Sequence, residues 1–413
     1  MAEIKAFSCI KPTKELAGQV AALPYDVYNR EEACEAVKGK KYTFLRIDRA
    51  ETQFDSSVDT YDERVYAKAK ELLEEMKTEG VYVKESKKCY YIYELMMNGR
   101  KQTGIVACAS IDDYVNGVIK KHENTRADKE IDRINHVDKC NAQTGPIFLA
   151  YRENKIISDV IDRVKKSTEP IFDFTSEDEI SHTGYIIDND EDIKIIENEF
   201  AKIGNIYIAD GHHRAASAVK VGLKRREENP NYDGSEEFNY FLSVLFQEQE
   251  LMIMPYNRVV KDLNGLSEEE FINKIKEKFE VNIIGEAAFS PENKGKIGMY
   301  MDGIWYSLEA KKEIISEDVV DGLDVSLLQN NVLNPLLGIE DPRTDKRVDF
   351  IGGIRGLKEL ERRCSLDMKV AFSMYPTSIQ ELFAVADADR LMPPKSTWFE
   401  PKLRSGLFIH ELD

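Results

Sequence analysis

The chain has 413 residues, more than one compact hydrophobic core usually contains, so we expect two or three domains. Its 42% hydrophobic and 32% charged residues are typical of a globular protein and exclude a mainly disordered or fibrous chain. The 57 Lys and Arg against 75 Asp and Glu give a net charge of −18, so neither nucleic acid nor a membrane surface is expected as a partner.

Cysteine use and the N-terminus indicate the compartment. The six cysteines are scattered without C-x-x-C spacing, which is typical of free thiols in a reducing environment. The chain starts without a basic segment followed by an apolar one, and no apolar run approaches the roughly 18 residues of a membrane span. We therefore expect a cytoplasmic protein.

The first third of the chain is predicted to contain an amphipathic helix and a β-hairpin. Apolar residues recur at helical spacing over 65–76. Residues 89–97 and 101–110 flank Asn98-Gly99, and Asn-Gly supplies the two positive φ angles that a type I′ turn requires. We predict an N-terminal α+β module over residues 1–112.

The middle of the chain alternates strands and helices, and we predict a separate core domain over residues 113–262. Its predicted strands are 117–120, 147–151, 184–188 and 205–209. Its predicted helices are 126–142, 155–166, 190–203 and one that begins at Ala215.

The last part of the chain is predicted to be a C-terminal α+β module over residues 263–413. Ser267–Glu270 has the spacing of a capping box ahead of a helix that reaches about Phe279. Asp302-Gly303 lies between two apolar runs and predicts a second hairpin. The whole chain is thus expected to be a mixed α/β, or α+β, protein.

The best candidate for a functional site follows the strand 205–209. That strand runs into Asp210-Gly211-His212-His213-Arg214 and then a helix. Free backbone N–H groups and the positive end of a helix dipole would meet an arginine there, which predicts an anion site. A structural turn needs only Asp210 and Gly211. In the alternative interpretation Asp210 caps the helix, and the two histidines are solvated.

A second candidate lies at the start of the helix 126–142. His122-Glu123-Asn124-Thr125 again places polar groups between a strand and a helix, and the two junctions could converge. The alternative is a capping box that starts at Thr125, with Glu123 solvated. The zinc motif H-E-x-x-H is absent, because Arg126 stands where the second histidine is required.

Three other features are given structural interpretations. Lys395-Ser396-Thr397 follows two prolines and lacks the glycines of a Walker A loop, so we predict a rigid connector. Pro24-Tyr25-Asp26 is most simply a turn, although it could contribute an acidic group. His136 and His182 fall on predicted regular elements and are expected to be structural.

Asp210–Arg214 resembles the Asp-Gly-His-x-Arg motif of free L-serine kinases, members of the ParB/sulfiredoxin-like superfamily. Further motifs give a resemblance over nearly the whole chain to a bacterial and archaeal family of proteins of unknown function, some of whose members resemble serine kinases. Those motifs are Pro24-Tyr25-Asp26, His122–Thr125, Gly145-Pro146 and the ending 392–407. The resemblance implies a ParB/sulfiredoxin-like nucleotide-binding core over residues 113–262.

The resemblance also implies an activity, the transfer of a phosphoryl group from ATP or ADP to the hydroxyl of free L-serine. It implies that Glu123 is the general base and that His212 lies at the reacting centre. Asp210 would be a further catalytic residue and a Mg²⁺ ligand, since Mg²⁺ binds through phosphates and one or two carboxylates. The implied phosphate-binding residues are Gly211, His213, Arg214, His122 and Thr125.

Two other functions remain open from the sequence. One is a nucleotide-binding regulatory module without catalysis, and the −18 charge argues against a version of it that clamps DNA. The other is a metal-dependent hydrolase in which His122, His212, His213 and Asp210 converge on a transition metal.

Overall fold

The computed structural model describes all 413 residues, which form two compact units. The first unit contains Met1–Leu251 and Pro401–Asp413, and the second contains Met252–Glu400. The α-helices are α1 (Ala17–Val20), α2 (Arg30–Ala36), α3 (Leu45–Asp48), α4 (Glu63–Thr78), α5 (Ile111–Val115), α6 (Ala127–Cys140), α7 (Lys155–Ser167), α8 (Asp190–Phe200), α9 (His212–Glu228), α10 (Glu268–Lys278), α11 (Asp324–Leu328), α12 (Leu357–Leu366) and α13 (Ile379–Asp387).

The β-strands are spread over the whole chain. They are β1 (Ile4–Lys5), β2 (Ile10–Pro12), β3 (Tyr82–Lys84), β4 (Tyr90–Met97), β5 (Arg100–Ser110), β6 (Ile119–Lys120), β7 (Ala142–Gln143), β8 (Ile147–Tyr151), β9 (Phe172–Thr175), β10 (Ser181–Ile187), β11 (Ile206–Asp210), β12 (Tyr240–Gln247), β13 (Ile253–Met254), β14 (Tyr256–Val260), β15 (Phe279–Gly285), β16 (Lys296–Met301), β17 (Ile304–Ala310), β18 (Val348–Gly352), β19 (Val370–Met374), β20 (Trp398–Phe399) and β21 (His410–Glu411).

A nine-stranded mixed sheet organises the first unit. Its order is β6-β11-β8-β12-β5-β4-β10-β9, with β1 beside β5. The pairs β6/β11 and β8/β12 are parallel. The hairpin β4–β5 turns through Asn98 and Gly99, whose φ angles are 51° and 78°, as the Asn-Gly signal predicts. Apolar residues of α7, α8 and α9 pack on alternate residues of the strands, because successive side chains of a strand point to opposite faces.

The two units differ from the three segments predicted from the sequence. Strand β5 of the predicted N-terminal module pairs with β12 along Tyr240–Phe246, so residues 1–112 and 113–251 share one sheet. The C-terminal residues also return to the first unit, where β21 pairs with β7 and Ser405 forms a bridge with Ala22. Local patterns predicted these elements, but they carry no information about pairing between distant strands.

A six-stranded antiparallel sheet organises the second unit, in the order β15-β17-β16-β19-β14-β18. Helix α10 begins with the predicted capping box between Ser267 and Glu270. The hairpin β16–β17 turns at Asp302 and Gly303, both with positive φ. The predicted mixed α+β fold is therefore confirmed in both units.

The structure also bears on the expectations about free thiols and about membrane-spanning segments. All six cysteines are free thiols, and four of them are buried. Across the chain, the helices are too short or too polar to cross a lipid bilayer.

Candidate functional site

The two sequence junctions lie side by side in the first unit. Strands β6 and β11 are parallel neighbours, with Ile119 opposite Ile206. The segments that follow the two strands therefore leave the sheet at the same edge. One continues through residues 121–126 into α6, and the other enters α9 directly. The imidazole rings of His122 and His212 meet there at right angles, with their centroids 4.5 Å apart.

Neither helix at this edge is capped by the side chain of its N-cap residue. Gly211 is the N-cap residue of α9 with φ 92° and ψ 32°, and as a glycine it has no side chain that could cap the helix. The N-cap residue of α6 is Arg126, whose side chain makes no capping hydrogen bond either. Helix α9 begins at His212 and not at the predicted Ala215, because the left-handed conformation of Gly211 turns the chain straight from strand to helix.

The capping alternatives considered from the sequence are therefore not observed. The N-cap residue is Gly211 for α9 and not Asp210, and it is Arg126 for α6 and not Thr125. The Thr125 hydroxyl donates instead to the carboxylate of Glu130, which also forms an ion pair with Lys220 of α9.

The guanidinium of Arg214 is held over the glycine turn. Its Nη1 donates to the carbonyl oxygen of Pro146 at 2.6 Å, and its Nη2 donates to Asp210 Oδ2 at 3.3 Å. A Cβ added to Gly211 would lie 3.0 Å from Arg214 Nε. Glycine is thus required at position 211 both by its positive φ and by this close approach.

A second cation reaches this site from the C-terminal segment. Lys402 Nζ lies 3.7 Å from Asp210 Oδ2, and the Lys402 side chain is only 14% exposed. Asp210 therefore lies between Arg214 and Lys402. Sequence reasoning missed Lys402 as a site residue, because nothing local links it to a turn that precedes it by almost 200 residues.

The two histidines, His122 and His212, are buried and neutral. Burial lowers the pKa of His122 to about 4 and lowers the pKa of His212 well below its usual 6.5. The backbone N–H of His122 donates to His212 Nε2 at 3.5 Å, which assigns the His212 proton to Nδ1. That Nδ1 lies 3.9 Å from Oε2 of Glu123, whose side chain is 39% exposed.

The metal cluster considered from the sequence is only partly assembled. His122, Glu123 and His212 offer three ligand atoms that all lie within 4.8 Å of one another. His213 and Asp210 do not belong to this group. His213 Nε2 accepts the backbone N–H of Arg126 at 2.9 Å, so this histidine ties α9 to the start of α6.

The other family motifs converge on the same region, with one exception. Tyr25 lines a cavity together with Gly145 and Arg214, whereas the adjacent Asp26 is exposed and is not part of that lining. The segment 392–400 belongs instead to the second unit. There the Ser396 hydroxyl donates to the Pro393 carbonyl oxygen at 2.6 Å, in keeping with a structural connector.

Both histidines that were predicted to be structural, His136 and His182, are buried and form hydrogen bonds within the protein. His182 Nδ1 is 2.8 Å from the Tyr93 hydroxyl, and His136 Nε2 is 3.2 Å from the carbonyl oxygen of Ile47.

A family model described as a protein of unknown function, DUF1015, matches residues 4–326. The chain belongs to the DUF1015 family. The matched range includes Pro24–Asp26, both strand–helix junctions and Gly145-Pro146 of this DUF1015 protein. No curated protein matches the chain in sequence.

Solved structures similar to this DUF1015 protein include three of interest. One is SbnI with a C-terminal truncation from Staphylococcus aureus, with 11% identity, a TM-score of 0.39, and coverage of 71% of this chain and 82% of that one. Another is a free serine kinase in complex with AMP, with 13% identity, a TM-score of 0.34, and coverage of 72% and 86%. The third is a conserved hypothetical protein from Pyrococcus furiosus, with 14% identity, a TM-score of 0.32, and coverage of 73% and 93%.

Proposed function

We propose that this DUF1015 protein is a small-molecule kinase that transfers a phosphoryl group from a nucleotide, ATP or ADP, to the hydroxyl of free L-serine, giving O-phosphoserine. The observation that carries the proposal is the pair of helix N-termini that follow neighbouring parallel strands, with Arg214 and Lys402 beside them. In a protein of net charge −18, this arrangement is a local anion site.

The donor phosphates would bind at the start of α9. The first backbone N–H groups of a helix have no partner within it, and the helix dipole adds about half a positive charge at this end. Gly211 lets the phosphates approach the backbone, and Arg214 adds a charge-assisted donor. His213, His122 and Thr125 shape the same edge, as their contacts with α6 and His212 indicate.

Glu123 would be the general base. Its side chain is partly exposed, so a substrate can reach it, and the Nδ1–H of the buried neutral His212 lies 3.9 Å from its carboxylate. A carboxylate in this position can accept the proton of a substrate hydroxyl. His212 thus acts by positioning Glu123.

The transfer step follows from these assignments. The serine hydroxyl oxygen forms a bond to the terminal phosphorus of the donor, and its proton moves to the Glu123 carboxylate. The bond between that phosphorus and the bridging oxygen breaks, and its electron pair leaves with ADP or, from an ADP donor, AMP. Phosphoryl transfer depends mainly on positioning and on stabilisation of charge, which backbone amides and Arg214 can supply.

A divalent cation is expected with the nucleotide. Mg²⁺ prefers oxygen ligands, and the Asp210 carboxylate at the end of β11 fits that preference together with donor phosphates. When bound, the ion would neutralise part of the phosphate charge.

Product detection tests the proposal. Full-length protein is incubated with Mg²⁺, L-serine and either ATP or ADP, and O-phosphoserine is sought by mass spectrometry. We expect product with at least one nucleotide and none when glycine replaces serine. Nucleotide binding without product would instead support the regulatory module, and the kinase proposal would be abandoned.

A metal-dependent hydrolase is the second candidate, because His122, Glu123 and His212 place three potential ligand atoms within 4.8 Å. Two imidazoles and a carboxylate suit a transition metal better than Mg²⁺. This candidate predicts a metal that remains bound through dialysis and disappears from a His122→Gln variant. The kinase predicts none, so metal analysis of the purified protein separates the two.

A further inference from the structure

A cavity in the first unit extends from the Arg214 side of the candidate site. It has an empty volume of about 440 Å³, the open space at its mouth included, and its lining includes Tyr25, Asp48, Arg133, Thr144 and Arg214. Tyr25, Asp48 and Arg133 also border a second cavity, but Arg214 borders only the first. The first cavity is therefore the space that adjoins the proposed donor site.

Asp48 is a buried carboxylate with few partners in the protein. Its relative exposure is 5%, and its one side-chain hydrogen bond comes from the Thr144 hydroxyl at 3.3 Å. Arg133 interacts with Asp48 electrostatically, but its hydrogen bonds go to Asp132. Burial of a carboxylate without a hydrogen-bonded cation is costly, so Asp48 is suited to receive a cation from a ligand.

Arg133 supplies the opposite charge in the same cavity. Its guanidinium lies 4.0 Å from the centre of the Tyr25 ring, and its Nε and Nη2 contact the Asp132 carboxylate at 2.9 and 2.8 Å. These contacts use one edge of the guanidinium and fix its plane. They leave Nη1 as a donor for an anion.

Tyr25 adds a neutral hydrogen-bonding group. Its side chain is buried and lines the cavity. Burial raises the pKa of Tyr25 far above neutrality, with a smaller opposing effect of Arg133, so the phenol stays protonated. His136, on the same wall, stays neutral because burial lowers its pKa and Arg133 lowers it further.

We propose that this cavity is the acceptor pocket and that it recognises a free α-amino acid, with its ammonium on Asp48 and its carboxylate on Arg133 and Tyr25. This inference rests on the proposed function and adds where the acceptor binds and what is recognised. Two charged groups of opposite sign select a zwitterion, and the side chain of the amino acid then points toward Arg214. A hydroxyl at that position meets the donor phosphate.

Binding measurements without turnover test the pocket separately from the reaction. Isothermal titration of L-serine into the full-length protein is carried out with a nonhydrolysable ATP analogue present. Ethanolamine, which lacks the carboxylate, and hydroxypropionate, which lacks the ammonium, are titrated in parallel. We expect both analogues to bind at least about tenfold more weakly than L-serine, since each loses one charge-assisted contact.

Asp48→Asn is the main variant, and Asp26→Asn is its matched control because Asp26 is exposed and one residue from Tyr25. We expect Asp48→Asn to weaken L-serine binding at least about tenfold while nucleotide binding stays unchanged. Tyr25→Phe keeps the ring under Arg133 and removes only the hydroxyl, so it tests the pocket if Asp48→Asn does not fold. It should weaken L-serine binding several-fold.

The outcomes separate the pocket from the kinase activity. Serine binding that depends on Asp48, with no product from any nucleotide, supports the pocket and overturns the kinase. Product formation with L-serine affinity within twofold of wild type in folded Asp48→Asn and Tyr25→Phe overturns the pocket and leaves the kinase. Absence of both serine binding and product overturns both.

Discussion

The guanidinium of Arg214 lies over Gly211, so close that a Cβ at position 211 would be 3.0 Å from Arg214 Nε. This contact joins the strand–helix turn to the cation that would hold a phosphate. The Pro146 carbonyl oxygen and Asp210 fix the same guanidinium from two other sides. The position of Arg214 is therefore determined before any ligand binds, which reduces the entropy lost on binding.

Gly211→Ala should weaken nucleotide binding by displacing Arg214. The left-handed backbone also costs roughly 1–2 kcal/mol of stability for a residue with a Cβ. Gly303→Ala is the matched control, because Gly303 has φ 81° and nothing within 4 Å of the added Cβ. Denaturant titrations should show similar losses of stability in the two variants, whereas nucleotide titrations should show a weaker Kd only for Gly211→Ala. Equal nucleotide affinity in both variants would contradict the role of the Gly211–Arg214 contact.

Arg214→Ala should weaken nucleotide binding by about 1.5–3 kcal/mol, the usual contribution of a charge-assisted contact. Arg225→Ala serves as the control on the same helix, since Arg225 lies in its last turn and pairs with Asp138 away from the site. Isothermal titration with ATP and ADP measures both variants. An unchanged Kd for Arg214→Ala would remove the phosphate assignment.

Lys402→Met should weaken nucleotide binding less than Arg214→Ala does. Lys402 lies 3.7 Å from Asp210 and lacks the planar donor set of a guanidinium, so it contributes as a point charge. The nucleotide Kd of Lys402→Met should depend less on salt than that of the wild type, because one cation has been removed from the site. An identical salt dependence would place Lys402 outside the anion site.

Stability should fall as the pH drops from about 6.5 to about 4. Burial holds the pKa of His122 at about 4, and His212 is lowered as well, so the unfolded chain binds protons in this range that the folded chain does not. His122 alone accounts for up to about 3 kcal/mol of this loss. Urea unfolding at several pH values should therefore show a weaker pH dependence for His122→Gln than for wild type. Equal slopes would mean that His122 is not buried as the neutral form.

The sequence predicts elements that depend on local patterns. The strand 147–151 coincides with β8, and the helix 155–166 differs from α7 by one residue, because apolar periodicity and turn residues act over a few positions. The two strand–helix junctions were also found in this way. Their proximity depends on the parallel pairing of β6 with β11, which the spacing of turns does not specify.

The cavity residues could not be found from the sequence. Arg133 lies on a helix with many charged residues, and nothing in its neighbours distinguishes it from a solvated arginine. In the structure its guanidinium lies against the ring of Tyr25, a residue more than 100 positions earlier in the chain. Asp48 is the last residue of a four-residue helix, which is too short to show helical periodicity of apolar residues in the sequence. Only packing over long sequence separations brings these charges together.

Transfer of a radiolabelled phosphoryl group to L-serine tests the central claim most directly. The label is placed at the terminal phosphate of ATP or of ADP, and wild type is compared with Glu123→Gln, which keeps the shape of the side chain and cannot accept the proton. We expect labelled O-phosphoserine from wild type, at least about a hundredfold less from Glu123→Gln, and the same nucleotide Kd for both. Absence of labelled serine with either donor would contradict the kinase, and equal turnover in both proteins would contradict the role of Glu123.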